Sequence, residues 1–532
     1  MSETNGQRLP PGWAMASIED LFWPLEDGRT LHQGWSPLCE KTPAPTDADW
    51  GVLKTTAIQA GAFLPQHNKT LPKHLTPRPQ TEVKSGDILI TCAGPRVRCG
   101  VACLVRHTRP RLMMSGKMYR FRVSPDHFDA RFLEAYLLTS RAAAAVDKMK
   151  TGGSDSGLNL THDRFRPLPV PVAPLKEQRR IMDSIDELFS DLDAGIATLE
   201  RVQTKLKIYR ASVLKAAVDG ALTTNWRRKH PATEPASVLL TRILAERRRR
   251  WEKAQLQKFK DADKEPPKDW KSKYKEPVAP DASKLKILPH GWCWTVAEAI
   301  GDIQLGRQRS PKNISNKYPT KYLRAANITE QGIDISDVLD MEFTPKELSR
   351  YQLKVGDILL SEASGSPKQV GKPAICREEH TSYCFQNTVI RHQPVILLSE
   401  FLLTIYKSFY ATGVFSKMSA GVGINHLSAD KFSKLMIPLA PITEQEVIVE
   451  AVEDQLSVIE HLEADLEAKL KSAQALRQSI LRHAFTGQLV PQNPKDEPAA
   501  ELLKRIAAQR AELARQKQSG KPTKRLSKKV II

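Results

Sequence analysis

The strongest constraint on this chain is that it repeats itself. Five segments recur in the same order at a spacing near 270 residues. The matched pairs are LPPGW at 9–13 with LPHGW at 288–292, LKTTAIQAG at 53–61 with LRAANITEQG at 323–332, KSGDILI at 84–90 with KVGDILL at 354–360, PVAPLKEQ at 171–178 with PLAPITEQ at 438–445, and ASVLKAAVDGAL at 211–222 with QSILRHAFTGQL at 478–489. Five ordered matches exclude chance, so the chain uses one folding unit twice.

Each repeat has two unlike parts. The first part, residues 9–170 and 288–437, is broken by Gly and Pro and carries short β-branched runs behind Gly-Asp turns. This pattern is typical of a compact α/β domain with many strands. The second part begins at prolines such as Pro174 and Pro441, which suit the first turn of a helix, and it continues as a long helical pattern.

Apolar residues recur every seven positions along both helical patterns. They are Ile185, Leu192, Leu199, Leu206 and Val213 in the first repeat, and Val452, Ile459, Leu466, Ala473 and Ile480 in the second. This spacing predicts a coiled coil, and the obvious partner of one helix is the other. Because the first helix delivers the chain to the second globular part, the two helices must pair antiparallel. A helix over residues 176–218 extends roughly 65 Å at about 1.5 Å per residue, which suits a spacer.

The predicted fold class is therefore α+β. Two α/β domains are related by an internal pseudo-two-fold repeat, and two long helices that form an antiparallel coiled coil join them. The expected segments are a first globular domain over 1–170, a central helical region over 171–255, a linker rich in Lys and Pro over 256–287, a second globular domain over 288–437, and a helical region with a basic tail over 438–532.

Composition favours a soluble protein with a polyanionic partner. The chain is 41% hydrophobic, and no stretch approaches the roughly 18 apolar residues of a membrane span. The N-terminal segment lacks the features of a signal peptide, so we expect a cytoplasmic protein with reduced cysteines. A formal net charge of +20 favours DNA, although basic proteins also bind acidic proteins and membrane surfaces.

The sequence offers no catalytic motif of its own. It lacks the N/D-P-P-Y/F loop of an amino-methyltransferase. The segment GSPKQVGK at 365–372 departs from a P-loop in its glycine spacing, and Pro373 replaces the required Ser or Thr. Glu82 and Lys84 resemble a nuclease E-x-K pair but lead into a Gly-Asp turn, and the histidines show no metal-ligand cluster. We predict neither a catalytic residue nor a metal site.

The order of these motifs and their duplication resemble the specificity subunit of type I restriction–modification enzymes, from residue 9 to about residue 517. The resemblance implies two target-recognition domains, each reading one half of a split, asymmetric double-stranded DNA site, with the helices setting the spacer. It also implies two methyltransferase subunits and restriction subunits as partners. S-adenosylmethionine, ATP and Mg would belong to those partners, and this chain would carry no cofactor. The segment at 53–61 departs from the family pattern, because it lacks the usual Arg and Asn.

DNA-reading residues are expected on loops whose position repeats while their composition differs. The candidates are Arg29, Arg96, Arg98, Lys117 and Arg120 in the first repeat, and Arg307, Arg309, Lys312, Lys368, Gln369, Lys372 and Asn387 in the second. Arg and Lys suit guanine or phosphate, and Gln suits adenine. The Gly-Ser loops at 152–159 and 419–425 could let the backbone approach DNA. For each loop, the alternative is an exposed turn with solvated charges.

Loops at equivalent positions in the two repeats are expected to play equivalent roles. We match Gly28 and Arg29 with residues 306 and 307, and Lys117 with Asn387. Two other functions stay open at this point. One is a standalone methyltransferase or nuclease, which the missing motifs oppose. The other is a structural coiled-coil protein, for which the basic loops would be incidental.

Overall fold

The computed structural model describes residues 9–281, 283, 285–309, 318–364, 369–419 and 425–518. The first globular part contains β1 (Ala14–Ser17), α1 (Ile18–Leu21), β2 (His32–Gln33), β3 (Gly51–Leu53), β4 (Ile58–Gln59), β5 (Ala62–Phe63), β6 (Asn68–Thr70), β7 (Ile88–Thr91), β8 (Ala93–Gly94), β9 (Ala102–Leu104), β10 (Leu112–Met113), β11 (Met118–Phe121), α2 (Ala130–Leu137), α3 (Ser140–Met149), β12 (Leu158–Asn159), α4 (His162–Phe165) and β13 (Pro169–Val172). The central helices are α5 (Leu175–Val218), α6 (Thr224–Lys229) and α7 (Ala236–Asp261).

The second globular part contains β14 (Cys293–Val296), α8 (Ala297–Ile300), β15 (Gly301–Leu305), β16 (Pro319–Leu323), β17 (Leu339–Glu342), α9 (Pro345–Tyr351), β18 (Ile358–Ser361), β19 (Ala363–Ser364), β20 (Pro373–Ile375), β21 (Cys384–Phe385), β22 (Val389–Pro394), α10 (Ser399–Ala411), α11 (Val414–Met418), β23 (Asn425–His426), α12 (Ala429–Ser433) and β24 (Met436–Leu439). The last helices are α13 (Ile442–Ala484) and α14 (Ala499–Gln518). The predicted α+β class, with a duplicated globular part and two long helices, is confirmed.

The chain forms two compact units, and each unit is built from both repeats. The first unit combines Met1–Leu199 with Ala468–Ile532, and the second unit is Glu200–Glu467. Both boundaries fall inside a long helix, so α5 and α13 each contribute to both units. This division differs from the five consecutive segments expected from the sequence. Its physical reason is that an amphipathic helix belongs to whichever globular part buries its apolar face.

The two units contain the same main sheet. Its strand order is β2-β11-β7-β9 in the first unit and β15-β22-β18-β20 in the second. The central strands β7 and β18 are the apolar runs that follow the repeated Gly-Asp turns, and every residue in them is buried. A three-stranded sheet accompanies each main sheet, with the orders β10-β3-β6 and β17-β16-β21. The strands predicted behind the Gly-Asp turns are therefore present.

The Gly-Asp turn before each central strand is fixed by a fully buried aspartate. Gly86 and Gly356 have φ values of +86° and +84°, a left-handed conformation that favours glycine. Asp87 accepts a hydrogen bond from the backbone N–H of Lys84 at 2.7 Å, and Asp357 accepts the equivalent bond at 2.9 Å. The buried carboxylate thus closes the turn in both repeats.

The LPxGW and EQ motifs meet through one buried glutamate in each unit. The indole Nε1 of Trp13 donates to Glu177 at 3.0 Å, and that of Trp292 donates to Glu444 at 2.9 Å. Both glutamates are buried. We call this contact the Trp-Glu clasp. The two motifs lie far apart in sequence but form one contact, which fixes the start of each long helix on its globular part.

The glutamine that follows each clasp glutamate joins the long helix to a second element. Gln178 and Gln445 donate to the carbonyls five residues earlier, at 2.8 and 2.9 Å. Their side-chain oxygens accept the backbone N–H of Asp129, just before α2, and of Leu398, just before α10. The EQ pair therefore positions a domain helix as well as the long helix.

The long helices run antiparallel within each unit. In the first unit, Arg180 and Asp193 of α5 contact Asp496, which follows α13, and Arg477 of α13, respectively. In the second unit, Arg210 of α5 and Thr223, which follows α5, contact Glu463 and Glu444 of α13, respectively. In both units the residue number rises along one segment as it falls along the other. The predicted antiparallel pairing is confirmed.

The heptad positions bury one stripe of the long helices. Ile185, Val213, Val452, Ile459, Leu466 and Ile480 are buried, and Leu192, Leu199, Leu206 and Ala473 are half-buried. A second line of apolar residues along the same helices is exposed; these are Leu188, Val202, Tyr209, Leu462 and Leu476. Two helices share only one line of contact, so the second apolar line stays in solvent.

A further helix packs on each globular part from beyond the end of a long helix. Ala236, Leu239 and Ile243 of α7 and Ala499, Leu502 and Ile506 of α14 are buried in the two cores. Arg247 donates to the carbonyl of Gly301 at 3.1 Å, and Arg510 donates to the carbonyl of Glu19 at 2.9 Å. Arg247, the first of four consecutive arginines, is therefore committed to the fold.

The segment 256–287, which we expected to be a linker, is partly folded. Helix α7 continues to Asp261. The buried Trp270 stacks on Trp251 with ring centroids 5.9 Å apart and meets Phe259 edge-on at 6.4 Å. A few aromatic side chains fold this lysine-rich segment back onto α7, which its overall composition conceals.

The seven cysteines, all within the described part of the chain, are unpaired, and five are buried. In the described residues we find no helix that is both long and apolar enough to cross a membrane. The same residues contain no group of three or more His, Cys, Asp or Glu side chains arranged to hold a metal ion.

The clasp generates a stability prediction. Glu444 accepts hydrogen bonds from Thr223 at 2.6 Å and Arg227 at 2.9 Å in addition to that from Trp292. We expect Glu444→Ala to lower the free energy of unfolding of the second unit by about 3–5 kcal/mol, because it leaves a guanidinium and an indole without their buried partner. Calorimetry of the purified chain measures the shift. The exposed Glu446→Ala variant is the control, and equal melting temperatures for both variants would contradict the prediction.

Candidate nucleic-acid interface

Each main sheet has one end from which the repeated but dissimilar loops project. In the first unit, β7 and β2 finish at this end and β11 starts there, because β11 runs antiparallel to both. In the second unit, β18 and β15 finish and β22 starts at the same end. We call these the first and second loop ends. The Gly-Asp turns lie at the opposite end of each sheet.

Two loops that were predicted independently lie side by side at each loop end. Strand β8 pairs with β12, and β19 pairs with β23, so the loop after the central strand meets the Gly-Ser loop. In the first unit the backbone N–H of Arg96 donates to the carbonyl of Asp155 at 2.8 Å. In the second unit, residues 365–368 and 420–424 of these two loops lie outside the described residues.

Arg96 and Arg98 already have partners within the first loop end. Arg96 forms ion pairs with Asp147 at 2.7 Å and Asp155 at 3.0 Å. Hydrogen bonding to Lys150, with a further contribution from Arg96, lowers the pKa of Asp147. Arg98 donates to the carbonyls of residues 55 and 58. Arg96 is half-exposed and can exchange a carboxylate for a phosphate, whereas Arg98 joins the loop to a neighbouring turn.

Lys117 is an exposed cation at the first loop end, directly before β11. The carbonyls of Lys117 and Thr388 accept equivalent hydrogen bonds, from the backbone N–H of Cys92 at 2.8 Å and of Glu362 at 2.8 Å. The structural counterpart of Lys117 is therefore Thr388. Our match to Asn387 was one residue out of register, and Asn387 lies half-buried in the adjoining turn.

Arg120 lies inside the first domain. Its guanidinium donates to the carbonyls of Glu82 and Gln80 and lies 3.5 Å from the buried Asp87. Arg391 occupies the equivalent place in the second sheet, 3.7 Å from Asp357. These contacts tie the sheet to the Gly-Asp turn, so Arg120 has a structural role and is not a candidate for DNA contact.

The match of Gly28 with Gly306 does not follow the strand register. Gly34 and Gly306 both donate from the backbone N–H to the first residue of a sheet strand at 3.2 Å, so Gly34 is the counterpart of Gly306. A side chain at either glycine would collide with backbone carbonyls. Arg29 precedes β2 and therefore lies at the opposite end of the sheet, away from the loop end.

The other candidates of the second repeat are dispersed. Arg307 is buried, with its Nε 2.8 Å from Glu347. Arg309 and Gln369 are exposed, and Lys372 is half-buried. Lys312 and Lys368 lie outside the described residues. Arg309 and Gln369 therefore remain candidates for DNA contact. The side chain of Arg307 is instead held by Glu347 within the domain.

Comparison with known proteins shows similarity to DNA specificity domains and subunits. A family model described as the type I restriction modification DNA specificity domain matches residues 298–472. The EcoEI specificity subunit of Escherichia coli is 37% identical over 195 residues, which is 37% of this chain and 32% of that protein. The EcoKI specificity subunit of Escherichia coli K12 is 23% identical across 97% of this chain and 99% of that protein.

The chain is similar over nearly its whole length to type I restriction enzyme specificity subunits. A solved structure, described as showing complex assembly and conformational transition of the type I R-M system, superposes with a TM-score of 0.56 at 17% identity, covering 91% of this chain and all of that one. This likeness supports the fold. The matched relatives are named as specificity subunits, and the matched family model is named as a DNA specificity domain.

Strand register shows which residues of the chain occupy equivalent places at the two loop ends. The pairs, first repeat before second, are Gln33 with Leu305, Trp35 with Arg307, Cys92 with Glu362, Lys117 with Thr388, and Asn159 with His426. The chemistry differs at every pair. Burial raises the pKa of the Cys92 thiol to about 12, so this residue is neutral where its counterpart is a carboxylate.

Sequence reasoning missed Glu362, His426 and Gln33. The alignment of KSGDILI with KVGDILL already places Cys92 opposite Glu362 when it is extended by two residues. A criterion based on cations, which bind phosphate, does not select an acid such as Glu362. Gln33 lies on a two-residue strand that carries no readable alternation of apolar and polar residues.

Substitutions at two residues that lie three positions apart, Lys117 and Arg120, separate DNA binding from folding. We expect Lys117→Ala to lower DNA affinity of the assembled complex about 3- to 10-fold and to reduce the salt dependence by about one phosphate equivalent, with no change in melting temperature. Arg120→Ala should lower the free energy of unfolding by about 3–5 kcal/mol, since Asp87 loses a buried partner. Fluorescence anisotropy and calorimetry measure the two effects. If Lys117→Ala lowered stability as much, Lys117 would be a structural residue.

Proposed function

We propose that this subunit reads a split, asymmetric DNA sequence, with one half read at each loop end. The main support is that the two units share the same backbone scaffold but carry different side chains at equivalent positions of their loop ends. The Gly-Asp turn, the clasp and the sheet order recur in both units, while the equivalent positions at the loop ends carry different chemistry. Side chains with different donors and acceptors read different bases, so the two half-sites differ in sequence.

The long helices set the distance between the half-sites in this proposal. Helices α5 and α13 contain 44 and 43 residues and pair antiparallel within each unit. Rigid helices transmit a fixed separation better than loops do. The +20 charge of the chain supplies attraction to phosphate along the whole site.

The partners are two methyltransferase subunits and restriction subunits. The exposed apolar line of the long helices, with Leu188, Val202, Tyr209, Leu462 and Leu476, provides a surface on which partner helices can pack. S-adenosylmethionine, ATP and Mg are bound by the partners, and the complex acts in the cytoplasm as an adenine methyltransferase and ATP-dependent endonuclease. The described residues contain no metal-ligand group, which is compatible with partner-held chemistry.

Methylation mapping tests the function. We expect the chain, produced with its methyltransferase subunits in a host free of other adenine methylation, to yield one methylated motif in two defined parts separated by unspecified bases. The isolated chain incubated with labelled S-adenosylmethionine and DNA should transfer no methyl group. Methyl transfer by the chain alone would indicate a standalone enzyme. Absence of any motif and of salt-dependent binding in the assembled complex would leave a structural coiled-coil protein.

The spacer role gives a second prediction. Removing one heptad from each long helix, residues 197–203 and 467–473, keeps the apolar stripe in phase and shortens each helix by roughly 10 Å. We expect the unspecified spacer to shorten by about three base pairs at about 3.4 Å each, with both half-sites unchanged. The methylated motif in the host genome measures the change. An altered half-site with an unchanged spacer would contradict the proposal.

A further inference from the structure

Glu362 occupies a fixed place at the second loop end. It directly follows the central strand β18. Its backbone N–H donates to the carbonyl of Thr388, and its own carbonyl accepts from Leu427, each at 2.8 Å. These bonds hold residue 362 between the start of β22 and the residue after β23. The carboxylate is 15% exposed, so it can still reach a ligand.

His426 is the side-chain partner of Glu362. Its Nδ1 lies 3.2 and 3.3 Å from the two carboxylate oxygens, and its ring is 49% exposed. Because His426 lies on β23, the pair spans the two strands from which the second pair of loops projects. The carboxylate is therefore oriented by a group that is itself accessible from solvent.

The fold does not require this contact between Glu362 and His426. In the first repeat, Cys92 and Asn159 occupy the same two positions. The backbone bonds are the same there: Cys92 donates to Lys117 and accepts from Leu160, each at 2.8 Å. The scaffold thus closes with a neutral thiol and an amide, and the carboxylate–imidazole pair is an addition specific to the second repeat.

A carboxylate at a DNA-facing surface is repelled by phosphate. It becomes favourable where it accepts a hydrogen bond from a base amino group, which only adenine and cytosine present in the major groove. Adenine also presents the N7 acceptor beside its amino group, which a carboxylate cannot satisfy. Cytosine presents N4–H₂ alone at its edge, which matches an acceptor without a donor.

We propose that Glu362 accepts a hydrogen bond from the N4 amino group of a cytosine in the second half-site, with His426 as its positioning residue. This inference rests on the proposed function, since it assumes that the second loop end reads DNA. It also assigns opposite chemistry to the two loop ends: an acceptor in the second, and the cation Lys117 in the first.

The test is methylation mapping and DNA binding with the assembled complex carrying Glu362→Gln. We expect one cytosine of the second half-site to become degenerate or to change to adenine, because the Gln amide supplies both a donor and an acceptor. Affinity for the original site should fall about 10- to 100-fold. The first half-site should be unchanged, and it serves as an internal control in the same data.

Three further variants distinguish a specific role of the Glu362 carboxylate from a general effect of charge or folding. Glu378→Gln, an exposed acid of the same domain, should leave the motif unchanged. His426→Ala should weaken discrimination at the same base without creating the preference for adenine. Glu362→Asp, which keeps the acceptor, should retain cytosine. An unchanged motif in Glu362→Gln, or loss of both half-sites with a lower melting temperature, would overturn the assignment. A wild-type complex without a two-part motif would instead overturn the proposed function.

Discussion

The structure depends on a buried carboxylate that joins each globular part to its long helix. Glu177 and Glu444 receive the indole N–H of the LPxGW tryptophans, and the adjacent glutamines cap a domain helix. Without that contact, a helix of more than forty residues would leave its domain at an undefined angle. A buried acceptor with directional donors fixes the angle, whereas apolar packing alone permits sliding. The clasp therefore determines how accurately a loop end is held relative to the helix that carries it.

Much of the scaffold was predictable from the sequence, because its physics is local or repeated. The Gly-Asp turns, the strands behind them, the heptads and the duplication were all found. The site was less predictable, because it depends on register. A one-residue slip matched Lys117 with Asn387, and a six-residue slip matched Gly28 with Gly306. Arg120 carries the same charge as Lys117, but a guanidinium reaching a buried aspartate cannot be recognised until the sheet is built.

The segment 256–287 shows a second reason why structure was not predicted from the sequence. Residues 256–287 have the composition of a solvated segment, and composition averages over side chains that act individually. Trp270 nevertheless packs against Trp251 and Phe259 of α7. The interface likewise separates scaffold from content: positions that recur hold the backbone, and positions that differ lie at the loop ends. A domain built in this way can change what it reads without altering how it folds.

The interleaving of the two repeats has a consequence for biosynthesis. The core of the first unit includes Ile480, Leu481, Phe485, Leu502 and Ile506 from the far end of the chain. When the ribosome has completed the first globular part, these side chains have not been made, and the apolar surface that they cover is open. The second unit is contiguous in sequence and can close earlier. The first globular part can therefore complete its core only after residues 480–506 have been synthesised. Until then, the nascent chain must stay soluble with this apolar surface exposed.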